Sequence, residues 1–122
     1  MCKILLSIKP EHVENIMNKR KLYEFRKIKC KEKVEQIVIY ATAPVSKVVA
    51  EVEVVEVIED IPEEVWKITE KFSGISKEYF EKYYQNKNKA VAYKLGFVKP
   101  FRKPKQLIEF GVTTAPQSFV YL

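Results

Sequence analysis

Histidine is almost missing from this 122-residue chain: His12 stands alone, and no Cys/His pair or clustered acids have the spacing of a metal site. That argues against metallohydrolases and against Ser-His-Asp hydrolases, and neither a metal nor a cofactor is expected. Glycine is nearly as scarce. Gly74, Gly96 and Gly111 lie too far apart to form a phosphate loop or a dinucleotide fingerprint. The two cysteines, Cys2 and Cys30, form no CxxC and no disulfide framework, so reduced, incidental thiols in a cytoplasmic protein are expected. Long apolar runs are missing too. Residues 37–41 are far too few to span a bilayer, and no basic-then-apolar leader opens the chain, so no membrane partner is expected.

What the chain does have is segregated charge. Its formal net charge is +6, and residues 19–33 account for all of it. Lys19, Arg20, Lys21, Arg26, Lys27, Lys29, Lys31 and Lys33 stand there against Glu24 and Glu32, while the other 107 residues hold 14 bases and 14 acids. A local positive field favours a polyanion more than a scattered +6 does, which makes nucleic acid the first candidate partner. A solvated, solubilising loop is the competing reading of the same lysines, above all for Lys29, Lys31 and Lys33. Seven acids and no base fall between residues 51 and 64, a face expected to point away from nucleic acid. With 47% hydrophobic and 31% charged residues, the composition is that of one globular domain over residues 1–122.

Along the chain, residues 3–8 read as a short buried strand. Pro10 suits the first turn of a helix whose apolar face is Val13, Ile16 and Met17, leaving His12 as a solvent-exposed bystander. Residues 23–27 alternate, with Tyr23 and Phe25 on one side and Glu24 and Arg26 on the other, the period of a half-buried strand. Residues 34–42 form a nearly continuous apolar run, as in a central strand covered on both faces. In residues 47–58 acids alternate with valines until Val54-Val55 breaks the phase, which predicts a β-bulge. A second helix opens at residues 60–64 with Val65, Ile68 and Phe72 at core spacing. Gly74 ends it, and Ser76 caps a third helix whose Tyr79, Phe80, Tyr83 and Tyr84 read as core. A strand returns at residues 90–98 and runs into a second basic segment, Lys99 to Lys105, held extended by Pro100 and Pro104. Five or six strands with two or three short helices make an α+β fold built on a small mixed β-barrel.

Three pieces then stand together: Ser7-Ile-Lys9-Pro10, Lys21-Leu-Tyr-Glu24-Phe-Arg26 and Tyr40-Ala-Thr42-Ala-Pro44. With the closing Ala115-Pro116-Gln117-Ser118-Phe119, the chain resembles, over nearly its whole length, the ASCH (activating signal cointegrator homology) domain family, whose fold is a PUA-like β-barrel. It looks most like stand-alone prokaryotic members, some labelled transcriptional regulators. The resemblance implies a cleft beside the barrel, lined by the Lys-x-x-Glu-x-Arg motif and suited to RNA or a nucleotide. The residue types agree. Arg26 suits bidentate bonding to phosphate or a guanine edge, and Glu24 suits an exocyclic amine. Lys9 and Lys21 are read as point charges on the backbone, and Tyr23, Tyr40, Tyr93 or Phe101 as stacking surfaces. Lys19, Arg20, Lys27, Thr42 and Arg102 complete the candidate nucleic-acid-binding set. For Glu24 and Arg26 an ion pair without function is the competing reading, and for Thr42 the end of a strand.

RNA is the favoured partner, with DNA or a small nucleoside as alternatives and a protein-binding transcriptional adaptor as a third class. Part of the family is catalytic, and two enzymatic readings follow from the resemblance, with Lys21 and Glu24 as candidate catalytic residues. One branch removes an acetyl group from acetylcytidine using a lysine, a threonine three residues later and a glutamate. Lys21 matches that lysine, but Glu24 stands at the threonine position, and a carboxylate cannot replace the activated hydroxyl. Glu24 is also expected to raise the Lys21 pKa, the wrong direction for a base. The other reading is ribonuclease activity, reported for some members, with lysine, glutamate and arginine as acid, base and phosphate stabiliser.

Overall fold

Two strands far longer than the rest, bent where their pairing slips, shape the sheet of this computed structural model, which describes residues 2–122. The described residues form β1 (Cys2–Ile8), α1 (Pro10–Met17), β2 (Tyr23–Arg26), β3 (Val34–Ala41), β4 (Lys47–Asp60), α2 (Pro62–Thr69), α3 (Lys77–Tyr83), β5 (Ala90–Lys105) and β6 (Phe119–Tyr121). The sheet order is β2-β5-β4-β3-β1-β6, with β1 and β3 parallel and every other pair antiparallel. Register shifts between Val52 and Val54 and between Val54 and Glu56 lie where the acids lose phase in the sequence. Such bulges add local twist, and they curl the β4–β5 ribbon into a half-barrel. The α+β, small-barrel expectation holds, with six strands and three α-helices among the described residues.

The hollow of the curl is filled by Ile4, Leu6, Ile8, Ile37, Ile39, Val52, Tyr93 and Leu95, with Val13 and Ile16 of α1 packed among them. Outside β2 and β5, a second cluster joins Tyr23, Phe25, Val65, Trp66, Phe80 and Tyr84. A third, behind β1, β3 and β4, joins Leu5, Val38 and Val48 to Tyr40, Phe101 and Phe110. Strand β2 has one face in the second cluster and the other against the interior, so Tyr23, Glu24 and Phe25 are all buried rather than half-buried.

Helix α2 differs from its expected face. Val65 is buried, but Ile68 and Phe72 are 54% and 44% exposed, and Trp66 and Thr69 lie inside instead. Two causes are visible. The helix ends at Thr69 and tightens into a 3-10 turn, which moves Phe72 off the stripe. Phe80 of α3 also draws Trp66 inward, with ring centroids 4.9 Å apart. Thr69 tolerates burial because its hydroxyl donates to Val65 O at 2.8 Å. The cap of α3 is as expected, with Ser76 Oγ accepting from Tyr79 N.

The buried ring of Phe80, 2% exposed, joins α2, α3 and β2. Phe80→Ala is therefore expected to cost about 3–5 kcal/mol in urea unfolding, whereas Ile68→Ala stays within about 0.5 kcal/mol. Equal losses at the two positions would contradict the observed face of α2.

Candidate functional site

β2 is an edge strand four places from β1 in the sheet, yet the curl brings its end back to β1. Arg26 spans the gap: its Nη2 donates to Ser7 O at 3.0 Å. The same guanidinium binds Glu24 Oε2 through Nε at 3.1 Å and Nη2 at 2.9 Å. Alternation along β2 places both side chains on one face, where they form the floor of a cleft of about 150 Å³. Ser7 and Lys9, His12, Lys21, and Tyr79 with Tyr83 line its walls.

Lys21 lies at the back. It is only 2% exposed, its Nζ donates to Ser73 O at 2.8 Å, and that ammonium stands 4.7 Å from the centroid of Phe25. Burial holds its pKa below the ordinary lysine value. Glu24 pulls upward but is the smaller effect, so the expectation of a raised Lys21 is overturned. Nor is Lys21 an outward point charge. Gly74 makes its burial possible: at φ +72° a Cβ there would lie 2.5 Å from the Cβ of Lys21.

Helix α3 supplies the aromatic wall. Phe80 and Tyr84 enter the core as expected, whereas Tyr79 and Tyr83 turn to the cleft, which corrects the reading of all four as core. Tyr83 and Tyr84 tie α3 to β2, their hydroxyls donating to Phe25 O at 3.4 Å and Arg26 O at 2.8 Å. Opposite stands His12, its ring edge-on to Tyr79 at 5.6 Å. His12 is thus part of the cleft and not a bystander. Its Nδ1 is buried with no hydrogen-bond partner among the described residues. Burial, and then the Lys21 charge, hold its pKa below the ordinary histidine value.

The cleft unites Lys9, Lys21, Glu24 and Arg26 of the sequence-derived set. Lys27 stands beside it, its ammonium 4.6 Å from the centroid of Tyr83. The others lie elsewhere. Tyr23 is buried beneath α2 and α3. Tyr93 is 1% exposed and donates to Cys30 Sγ at 3.2 Å, so neither ring is an open stacking surface. Lys19 and Arg20 are exposed on the turn after α1. Tyr40 lines a separate groove, Arg102 is exposed on β5, and Thr42 N donates to Ile8 O at 3.0 Å. The basic window is divided as well, because Lys29, Lys31 and Lys33 surround Cys30 away from the cleft. His12, Tyr79 and Tyr83 were missed. For the tyrosines the signal was partial, since residues 79 and 83 lie one turn apart on one side of the helix while residue 83 also shares a face with residue 80.

Among the described residues there is no cluster of metal-ligating side chains and no helix long and apolar enough to cross a membrane. No family model matches the chain. The fold is that of ASCH proteins. The crystal structure of ASCH from Zymomonas mobilis aligns with 98% of this chain and 87% of its own length, at TM-score 0.88 and 25% identity. A tyrosine-to-phenylalanine variant of the Zymomonas protein aligns at TM-score 0.89 and 23% identity, over 98% of this chain and 89% of that one. Among curated proteins, the chain is 33% identical over 121 residues to ATP synthase subunit alpha of Ureaplasma parvum. It is 32% identical over 120 residues to large ribosomal subunit protein uL22 of the same organism. Each match takes in 98% of this chain but only 15% and 39%, respectively, of those relatives.

Two outcomes follow from the packing of the cleft. Gly74→Ala combines left-handed backbone strain with overlap on the Lys21 stem, and should cost about 2–4 kcal/mol by urea unfolding. A loss below about 0.5 kcal/mol would mean that Gly74 does not constrain Lys21. For His12 the folded state binds the proton less tightly than the unfolded chain. Its contribution is therefore full above about pH 6.5 and is lost as pH falls through the depressed folded value. The single imidazole should titrate below about 6.5 by NMR, and His12→Gln should lose less stability than wild type as pH falls from about 7 to 5.

Proposed function

We propose that this chain binds RNA and takes one unstacked base into the cleft between β1, α1, β2 and α3. The observation that carries the reading is the pairing of a ring-sized cavity with a fixed carboxylate–guanidinium pair. A cavity near 150 Å³ accepts one planar ring, as an engineered cavity of that size admits benzene. Glu24 and Arg26 then meet the edge of that ring, the carboxylate accepting from an exocyclic amine and the guanidinium donating to a ring nitrogen or carbonyl. Because Arg26 bonds to Oε2, the second carboxylate oxygen is the one that meets the ligand. Tyr79 and Tyr83 offer aromatic surface, and Lys9 and Lys27 at the mouth attract the phosphates.

The comparisons support the reading at the level of fold. One relative is, by its name, a ribosomal subunit protein, while the other is an ATP synthase subunit. A segment like this chain thus occurs within proteins of different kinds, which suits a portable binding module spanning residues 1–122. We place it in the cytoplasm, in RNA metabolism or transcription regulation, with RNA preferred over DNA.

A second reading, cleavage of the bound RNA, rests on Lys21. A lysine held below its ordinary pKa gives up its proton more readily, as a general base requires, and Glu24 and His12 stand in the same cleft.

Binding of short single-stranded RNA should fall about 5- to 150-fold in Glu24→Ala/Arg26→Ala, the span of one bidentate base contact. Changing both partners avoids leaving either charge buried alone, and cooperative unfolding of the variant establishes that its fold survives. Unchanged affinity would overturn the cleft reading. RNA recovered cleaved by wild type, and intact after Lys21→Met, would replace binding with hydrolysis.

A further inference from the structure

We propose that a second groove, on the outer face of the sheet at the same end, receives the strand that leaves the cleft, so that the ligand is a single-stranded RNA of several nucleotides; this rests on the cleft reading above. The strand register carries the inference. Ser7, on the wall of the cleft, pairs with Tyr40, Tyr40 with Val48, and Val48 with Lys105. Four neighbouring strands therefore end side by side. Three interstrand spacings separate the first from the last, about 14 Å, a distance that takes a strand of several nucleotides rather than one.

The groove at the far end has a cavity of about 430 Å³ lined by Tyr40, Ser46, Lys47, Leu107, Val112 and Thr113. Beside it Phe101 and Phe110 stack at 6.3 Å, and Lys105 Nζ stands 4.8 Å and 5.8 Å from their centroids. Contact with the rings holds the ammonium in place while its remaining N–H groups stay available to a phosphate. Arg102 and Lys103 are exposed on the same strand, and residues 99–105 carry four bases and no acid. The nearby carboxylate of Glu109 is engaged, accepting from Gln106 N at 2.8 Å. Glu51, opposite Lys99 in the register, is paired with Lys3 at 2.8 Å.

Two hydrogen bonds link the elements that carry the grooves. Ser7 Oγ donates to Pro116 O at 2.8 Å, tying the loop after Thr113 to the cleft wall. Thr42 N donates to Ile8 O, holding the turn before Lys47 against the end of β1. Cations beside an apolar, aromatic surface match the chemistry of a single strand, with phosphates on one side and bases on the other. Tyr40, which the cleft does not use, lines this groove, and Arg102 is exposed on the strand that ends beside it.

The test compares the four 5′-mononucleotides with the four RNA homohexamers by titration calorimetry at two salt concentrations. The preferred hexamer should bind at least about tenfold tighter than its mononucleotide, since linked contacts add avidity. Arg102→Ala/Lys105→Ala should remove that gain, lower the salt slope by about 1.4 for two lost phosphate contacts, and leave mononucleotide affinity unchanged. A hexamer no tighter than its mononucleotide, or bound unchanged by this variant, would overturn the second groove. Binding that survives Glu24→Ala/Arg26→Ala but weakens in Arg102→Ala/Lys105→Ala would overturn the cleft and its continuation while leaving the second groove as a separate site. No hexamer binding by wild type would overturn both.

Discussion

The site depends on one side chain that closes a gap the backbone leaves open. β2 and β1 share no ladder, and in a flat sheet they would stand about 19 Å apart, four strand spacings. Bulges in the β4–β5 ribbon curl the sheet until the two strands approach, and Arg26 then donates to Ser7 O while holding Glu24. The cleft is the space left where a closed barrel would have had hydrogen bonds. A guanidinium suits this position because its planar fork serves a carbonyl and a carboxylate at once.

Three charged groups packed around a small cavity are costly in a domain of this size. Glu24, Lys21 and Arg26 have left most of their water, a cost set against the Glu24–Arg26 pair and the contacts with Ser7 O, Ser73 O and the Phe25 ring. An apolar set of similar volume would pack here with less strain on the electrostatics. Ionisable side chains buried around the bottom of a cleft, with perturbed Lys21 and His12, are the pattern that binding or catalytic sites produce. His12 adds an imidazole whose buried Nδ1 has no partner among the described residues.

The fold shared with the Zymomonas ASCH protein, and the partial matches to two unlike Ureaplasma proteins, distinguish scaffold from use. A sheet of this kind offers loops and strand ends at one rim, where side chains change without disturbing the core. Here that rim holds the cleft at one side and the Lys105–Phe101–Phe110 group at the other.

Local pattern alone determined the strands, the bulge near Val54, the Ser76 cap and the alternation that puts Glu24 and Arg26 on one face. Each depends on neighbours within a few residues, where hydrophobic period and capping chemistry act directly. The resemblance carried by Lys21, Glu24 and Arg26 placed the motif in a cleft. What the sequence could not decide was who faces whom. The face of α2 was set in part by Phe80, from the next helix. The burial of Lys21 was set by Gly74 and Ser73 across the fold, reversing the pKa direction that Glu24 alone implied. His12 became part of the site only because α3 packs opposite α1, and Tyr93 left it because its ring fills the barrel. Burial and the partners of a charge are properties of the packed chain, since desolvation depends on every element that closes over a side chain and not on its neighbours in sequence.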